Sequence, residues 1–460
     1  MPAQALNSRL PALLARPLRS LADAEALLLG LAAAGAGRAH CERSPATVRS
    51  LLQRLGHPEQ GIPAVHIAGS KGKGTTTLLL EGILCAAGLR PLSFSSPHLE
   101  RWSERIRVGG QEIETAAFVG LLDALRRTAG AALASAELAG LGFFELLTGA
   151  ALLGARELGA DCLLLEAGMG GRCDATNVLT PRVACITTVE LEHVERLGGS
   201  LEAIAREKAG IIKPGSRVVT GALPPAAAQA VAAAARVAGA RLIRLGQELR
   251  LSVRPLTGLD GLPAQRLKIS LGSEALTLDL AVAGPHLAAD AALALACAQQ
   301  SGLVPAPALA AAATAAFAAP ELPGRCEILG RHPWLLVDTA HTPASVAALA
   351  ATLRYFPARQ QHLVLSLSGN RQPSLLVQLL TGASTVTVTC GEPSRALPAT
   401  ELAARLPPLA AAARLRIVEA PLQALSESRR QLEPEDLLCV AGSIYLAGIA
   451  RGHLRAQQVH

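Results

Sequence analysis

Apolar clusters of two lengths alternate along the chain, and their order predicts the class of fold. A helical pattern from Ser20 to Gly56 leads to the apolar run Ala64 to Ala68, short enough for a buried strand. GSKGKGT follows, and then the helical pattern TTLLLEGILCAAG. Strand, glycine-rich turn and helix in that order open a parallel α/β sheet. The same alternation continues through a helix Phe144 to Leu158 and strands Cys162 to Leu165 and Val183 to Thr187. After these come a helix Ser200 to Ala209, a strand Arg217 to Thr220, and a helix Ala226 to Ala238 introduced by Pro224 and Pro225.

Between Leu242 and Val282 the period shortens to two in ELRLSVRPL and LKISLGSEALTLDLAVAG, which predicts antiparallel hairpins at a sheet edge. A helix Ala288 to Gln300 and the run PAPALAAAATAAFAAPELPG close this half. Proline and glycine then concentrate between Pro320 and Gly324, where two periodic patterns meet, which marks a domain boundary. Beyond it, WLLVDTA, QHLVLSLSG, STVTVTC and DLLCVAG are strand candidates separated by helical stretches, a second and smaller α/β domain. No internal repeat suggests a solenoid.

Composition removes several classes. Half of the 460 residues are hydrophobic and 17% are charged, which excludes a disordered chain and a small disulfide scaffold. An aromatic share of 2% leaves little to stack on bases or to line sugar grooves. The 43 basic against 36 acidic side chains suit an anionic ligand without demanding nucleic acid. Nine cysteines, with no framework spacing and no CxxC, point to reduced thiols in a cytoplasm. The stretch Ala26 to Ala36 follows Asp23 and Glu25 without a basic lead, so export is not expected. The run Ala306 to Ala319 is shorter than the ~18 residues of a spanning helix, so no membrane anchor is expected either.

The loop GSKGKGT carries the clearest chemistry. Gly69, Gly72 and Gly74 let backbone NH groups approach an anion, Lys73 supplies a charge for terminal phosphates, and the Thr75 hydroxyl suits magnesium. The loop is shorter than the general GxxxxGK[ST] pattern, and alone it is also compatible with a structural turn.

It does not stand alone. HIAGSKGKGTTT, SSPHLERWSERIRVGG, LEAGMGGRCDATN, ITTVELEHVERLGGSLEAIAREKAGIIKPG, PGRCE and DTAHTP follow in order, and with their spacing they resemble the folylpolyglutamate synthase and dihydrofolate synthase family, from about Ala64 to Gly448. That family belongs with the Mur ligases. The resemblance implies an α/β protein with a P-loop parallel-sheet ATPase domain over 1–320 and a smaller Rossmann-like domain over 321–460. It implies a cytoplasmic monomer with no nucleic-acid or membrane partner. It also implies a ligase that uses ATP and two magnesium ions to join L-glutamate to dihydropteroate or a reduced folate. In that reaction a carboxylate takes the γ-phosphoryl group to become an acyl phosphate, and the glutamate amine then displaces phosphate. Two anions must be neutralised before they meet, so cations are required.

The resemblance also distributes roles. Glu166 ends the strand CLLLE, where a carboxylate at the carboxyl edge of a parallel sheet faces the ligand crevice. It becomes a magnesium ligand partnered by Thr75, with Gly168, Gly170 and Gly171 permitting close ligand approach. His193 matches the histidine of a second metal, and Lys208 matches the lysine that related enzymes carry as a carbamate. An ammonium cannot ligate a cation, so this role needs carbamylation. Catalysis falls to Lys73, His193 and Lys208. ATP contacts fall to Gly69, Ser70, Gly72, Lys73, Gly74 and Thr75, joined by Arg325, Asp338 and His341 at the interdomain cleft. Ser96, Pro97, His98, Glu104 and Arg105 match segments associated with the pterin-bearing substrate, and Asp174 and Asn177 close over it.

The chain also departs from the family pattern. Lys71 stands where asparagine is usual, and Leu191, Glu192 and His193 replace LDH. DGAHNP has become DTAHTP through Thr339 and Thr342, the HQ pair is His286 and Leu287, and Asp290 takes the place of an asparagine. A DKD cluster is replaced by SLSGNRQP. These changes gather on the adenine and amino-acid side and raise the alternative of a ligase-derived nucleotide-binding regulator without turnover; a related-enzyme alternative is a Mur-type ligase on another carboxylate.

Overall fold

The computed structural model describes residues 14–34, 45–132, 141–258, 261–272, 274–406 and 414–457. The chain divides into two compact units: residues 1–252, 268–278 and 289–318, and residues 253–267, 279–288 and 319–460.

The first unit is built on eight strands: β1 (Ala64–Ala68), β2 (Pro91–Phe94), β3 (Ile106–Val108), β4 (Gln111–Glu112), β5 (Cys162–Glu166), β6 (Val183–Ile186), β7 (Arg217–Thr220) and β8 (Arg241–Arg244). Their order is β4-β3-β2-β5-β1-β6-β7-β8. The six strands from β2 to β8 in that order pair in parallel, and β3 and β4 add an antiparallel edge. β1, β2, β5 and β6 are buried throughout, as expected of parallel strands covered on both faces. One core gathers Leu147, Leu163, Phe94 and Phe118, and another gathers Ile186, Ile204, Val218 and Val231. The alanine-rich composition has a use here: a Cβ on Gly82 of the helix Lys73–Ala86 would lie 3.3 Å from the Ala316 Cβ, so small residues let two helices approach closely.

Most predicted elements appear within a residue or two of their expected ends. The Ser20 to Gly56 pattern is two helices, Leu21–Ala34 and Pro45–Arg54, with 35–44 outside the described residues. The Leu242 to Val282 segment requires a correction. Its first part is β8, the parallel edge of the large sheet, while β9 (Leu249–Thr257), β10 (Pro263–Leu271) and β11 (Glu274–Leu280) form a separate three-stranded sheet in the order β11-β10-β9. A period of two reveals a strand with one covered face but not which sheet it joins.

In the second unit, β12 (Glu327–Arg331), β13 (Trp334–Val337), β14 (Gln361–Leu365), β15 (Ala383–Val388), β16 (Arg414–Ile417) and β17 (Leu437–Ala441) form a sheet in the order β12-β13-β17-β14-β15-β16. All pairs are parallel except β12 with β13. The four strand candidates are β13, β14, β15 and β17. β12 and β16 escaped the sequence reading because both are largely uncovered and break the apolar run with arginine. No helix among the described residues is long and apolar enough to cross a membrane.

Candidate active site

Register places the phosphate loop. In the centre of the large sheet, Ile67 of β1 lies beside Glu166 of β5, and Ala68 lies beside Ile186 of β6. Three neighbouring strands therefore deliver the glycine loop, Glu166 and the segment from Thr187 onward to one carboxyl edge, where parallel sheets bind ligands. The loop has no slack. Gly72 has φ +81° and precedes the helix Lys73–Ala86, and a Cβ there would meet Asp290 Oδ1 at 2.2 Å. A Cβ on Gly69 would collide with Thr187 Oγ1 at 1.9 Å, so both positions require glycine. The Ser70 amide donates to the Thr188 carbonyl (2.9 Å), and Ser70 Oγ accepts from the Glu190 amide (3.0 Å). Lys73 Nζ donates to the Gly69 carbonyl at 3.0 Å. Thr75 is buried in the first helical turn, beside Gly74.

Beyond β6 a charged cluster forms. Lys208, on the helix Leu201–Ala209 capped by Ser200, is 1% exposed and places Nζ 3.1 Å from Glu192 Oε1. Glu192 Oε2 lies 3.3 Å from Lys71 Nζ, so one carboxylate bridges two ammonium groups. Burial pushes the Glu192 carboxyl upward, but Lys208, Lys71 and Lys73 outweigh it and bring it to about 2. Burial and then Lys73 draw the Lys208 amine down to about 8. His193 caps the short helix Val194–Leu197 with φ +48°, exposed at the rim, and desolvation ahead of the neighbouring lysines holds its imidazole below the usual value.

Among the described residues, no three His, Cys, Asp or Glu side chains assemble a finished metal cage. The donor chemistry still fits magnesium in part. Glu166 is 3% exposed at the end of β5 and Thr75 is 4% exposed, both oxygen donors suited to a hard cation. The Ser96 amide donates to Glu166 Oε2 at 3.1 Å, which brings the SSPHL segment to the same corner. Around His193, the amine of Lys208 as it stands repels a cation, so a second ion fits only when that nitrogen carries a carboxylate.

The other predicted residues separate into two groups. His98 and Arg105 stand in an aromatic corner: Arg105 Nε donates to His98 Nδ1 (3.0 Å), and its guanidinium lies 5.1 Å from the Trp102 ring and 5.7 Å from that of Phe143. Burial, then Arg105, lowers the His98 imidazole to about 4, so it stays neutral. Trp102 packs on Phe143, Phe143 on Phe144, and Phe144 on Phe94. Three of the chain's six phenylalanines and one of its two tryptophans thus meet here, a concentration that the sequence reading passed over by treating GFFELL only as a helix start. Ser96–Pro97 is a cis peptide at the entry to this corner.

Glu104, Asp174 and Asn177 serve the backbone. Glu104 accepts from the amides of Leu99, Glu100 and Arg101. Asp174 accepts from Met169 and Thr176, and Asn177 Nδ2 donates to the carbonyls of Arg172 and Gly210. Two of the adjoining glycines lie tight against the protein itself. A Cβ on Gly168 would strike the Phe144 ring at 2.6 Å and one on Gly171 the Lys208 carbonyl at 2.7 Å, so these glycines admit protein neighbours, and Gly171 seats this loop against the turn that carries Lys208.

In the second unit, Asp338 follows β13, and its carboxylate accepts from the amides of Cys326 and Ala340, each at 2.7 Å. Desolvation raises its carboxyl above the usual value. Arg325 Nη1 donates to the Pro323 carbonyl, and His341 Nδ1 lies 2.7 Å from the Thr339 carbonyl. Thr342 caps the helix Pro343–Leu353 through Ser345, a role open to threonine although asparagine is the stronger cap.

Comparison with known proteins identifies relatives over most of the chain. Residues 324–444 match the family described as Mur ligase, glutamate ligase domain. A dihydrofolate synthase/folylpolyglutamate synthase of Mycobacterium tuberculosis is 32% identical over 77% of this chain and 76% of its own length. A probable bifunctional folylpolyglutamate synthase/dihydropteroate synthase of Halobacterium salinarum is 31% identical over 87% of this chain but only 48% of its own, so the chain spans about half the length of that relative. Among solved structures, M. tuberculosis folylpolyglutamate synthase complexed with ADP superposes with a TM-score of 0.85 at 30% identity, covering 95% of this chain and 99% of the other.

Proposed function

The chain belongs to the folylpolyglutamate synthase/dihydrofolate synthase family, and on that premise we propose that it is an ATP-dependent ligase joining L-glutamate to a folate-type carboxylate, whether dihydropteroate, a reduced folate or both. The observation that carries the reading is the delivery of the glycine loop, Glu166 and the Glu192–Lys208 cluster to one edge by β1, β5 and β6. We assign ATP binding and catalysis to 1–320 and the ligase domain to 321–460. Arg325, Asp338 and His341 supply the second unit's share of nucleotide binding. The protein acts as a cytoplasmic monomer without nucleic-acid or membrane partners.

The chain's own groups account for much of the chemistry. Lys73 and the amides at the start of the helix Lys73–Ala86 hold the terminal phosphates. The substrate carboxylate attacks the γ-phosphorus, its oxygen bonding as the bond to ADP breaks. The glutamate amine then attacks the acyl carbon, the C–O bond to phosphate breaks, and the amine loses a proton. The aromatic corner around Arg105 suits a flat heterocycle, and His98, neutral there, adds no competing charge. Thr75 and Glu166 would hold magnesium, which would neutralise charge on the phosphoryl oxygens.

Lys208 is proposed as a carbamate, formed when the neutral amine attacks CO2 and releases a proton. With the amine near 8, about a tenth is neutral at pH 7, far more than for an ordinary lysine. Its oxygens, with His193, then suit a second magnesium.

The reading is tested by glutamate-dependent ADP release with dihydropteroate, tetrahydrofolate and a UDP-muramyl substrate in parallel. Turnover on either pterin substrate is expected. Turnover on the muramyl substrate alone makes the chain a Mur-type enzyme, and nucleotide binding without any turnover makes it a regulator, which the altered Thr339 and Thr342 motif would then explain.

A further inference from the structure

Lys71, which stands where the family usually has asparagine, has its backbone fixed on both sides. Its amide donates to Thr188 Oγ1 at 2.8 Å, and its carbonyl accepts from Thr187 Oγ1 at 2.5 Å and Thr188 Oγ1 at 3.2 Å. The backbone therefore has one position, next to Gly72 and two residues before Lys73. The side chain is 27% exposed and ends 3.3 Å from Glu192 Oε2, while the other oxygen of the same carboxylate binds Lys208. Lys73, Glu190 and His193 face the same cluster. Lys71 and Lys73 therefore bring two ammonium groups to the loop itself, and carbamylation of Lys208 leaves that number unchanged.

From this arrangement we propose that Lys71 is a second phosphoryl-binding lysine, which transfers its Nζ from Glu192 to the terminal phosphoryl group of ATP. This deepens the ligase reading and rests on it. Glu192 is shared between two lysines, whereas a terminal phosphate offers two charges and three acceptor oxygens, so the exchange gives Lys71 the stronger partner. The competing account is that Lys71 only fastens the loop to the Thr187–His193 segment.

Calorimetric titration with ADP and with AMP-PCP, whose terminal phosphonate occupies the γ position, separates the two accounts. Lys71→Asn is expected to weaken AMP-PCP binding by about tenfold, the loss of one charge-assisted contact, while ADP binding changes by less than about twofold. Lys71→Arg is expected to retain most AMP-PCP affinity. Melting temperatures of both variants establish that they are folded. An equal loss on both nucleotides, or no loss on either, overturns the proposal. If the unaltered chain binds neither nucleotide, the ligase reading fails first and takes this one with it.

Discussion

The carboxyl ends of β1 and β13 hold similar positions in parallel sheets and use their polar groups in opposite ways. After β1, charged side chains face one another: Lys71 and Lys208 share Glu192, with Lys73 close by. After β13, polar groups close on nearby backbone: Asp338 takes the amides of Cys326 and Ala340, His341 takes the Thr339 carbonyl, and Arg325 takes that of Pro323. The first arrangement leaves charged side chains whose partners a ligand can exchange. The second is a self-satisfied turn whose shape is fixed before any ligand arrives. Substitutions at the first should therefore damage chemistry with the fold intact, and substitutions at the second should damage the fold as well.

Lys73→Ala provides the largest effect. Turnover should fall by about a thousandfold or more, because the charge that offsets the transferring phosphoryl group is gone. The melting temperature should barely move. Near-normal rates with saturating ATP and magnesium would contradict the phosphate-loop assignment. Lys208→Ala should lose about a hundredfold, and short-chain carboxylic acids should restore part of the rate by occupying the vacated anionic position. Lys208→Arg should stay inactive, since its charge has the wrong sign, and full activity in that variant would give this lysine another role.

On the other side of the comparison, Asp338→Asn replaces one acceptor oxygen by a donor pointed at a backbone amide. It should cost about 1–3 kcal/mol of stability, read as a lower denaturation midpoint. Lost activity with an unchanged midpoint would erase the distinction between the two strand ends.

The smallest effect concerns the strand beneath the phosphate loop. His66 on β1 is buried with Nε2 2.8 Å from Thr176 Oγ1, and burial, then Lys213, lowers its imidazole from 6.5 to about 3. Below pH 6.5 the unfolded chain binds a proton that the folded one refuses, so this group's stability contribution is full above that pH and declines toward pH 3. Between pH 6.5 and about pH 5, a His66→Asn variant should lose about 1–2 kcal/mol less than the unaltered chain. Parallel stability profiles for the two chains would contradict it.

The large sheet was legible because both faces of its central strands are covered, so Ala64–Ala68 and Cys162–Glu166 read as unbroken apolar runs. The separate sheet β9–β11 was not, because alternation specifies a covered face and leaves the partner open. At the site, Lys73, Glu166 and Lys208 follow from motif order. The bridge through Glu192 does not, since it joins residues 121 and 16 positions apart along the chain. The aromatic corner escaped for a similar reason. Phe94, Trp102 and Phe143 lie on separate elements, and only folding brings them together.

The central claim is that this edge of the sheet transfers the γ-phosphoryl group to a folate-type carboxylate before glutamate arrives at carbon. Substrate labelled with oxygen-18 in that carboxylate tests it most directly, with the released inorganic phosphate examined by mass spectrometry. The account predicts one labelled oxygen per turnover in phosphate, because the oxygen that attacked phosphorus leaves with it. Phosphate free of label, formed alongside the glutamylated product, would contradict it.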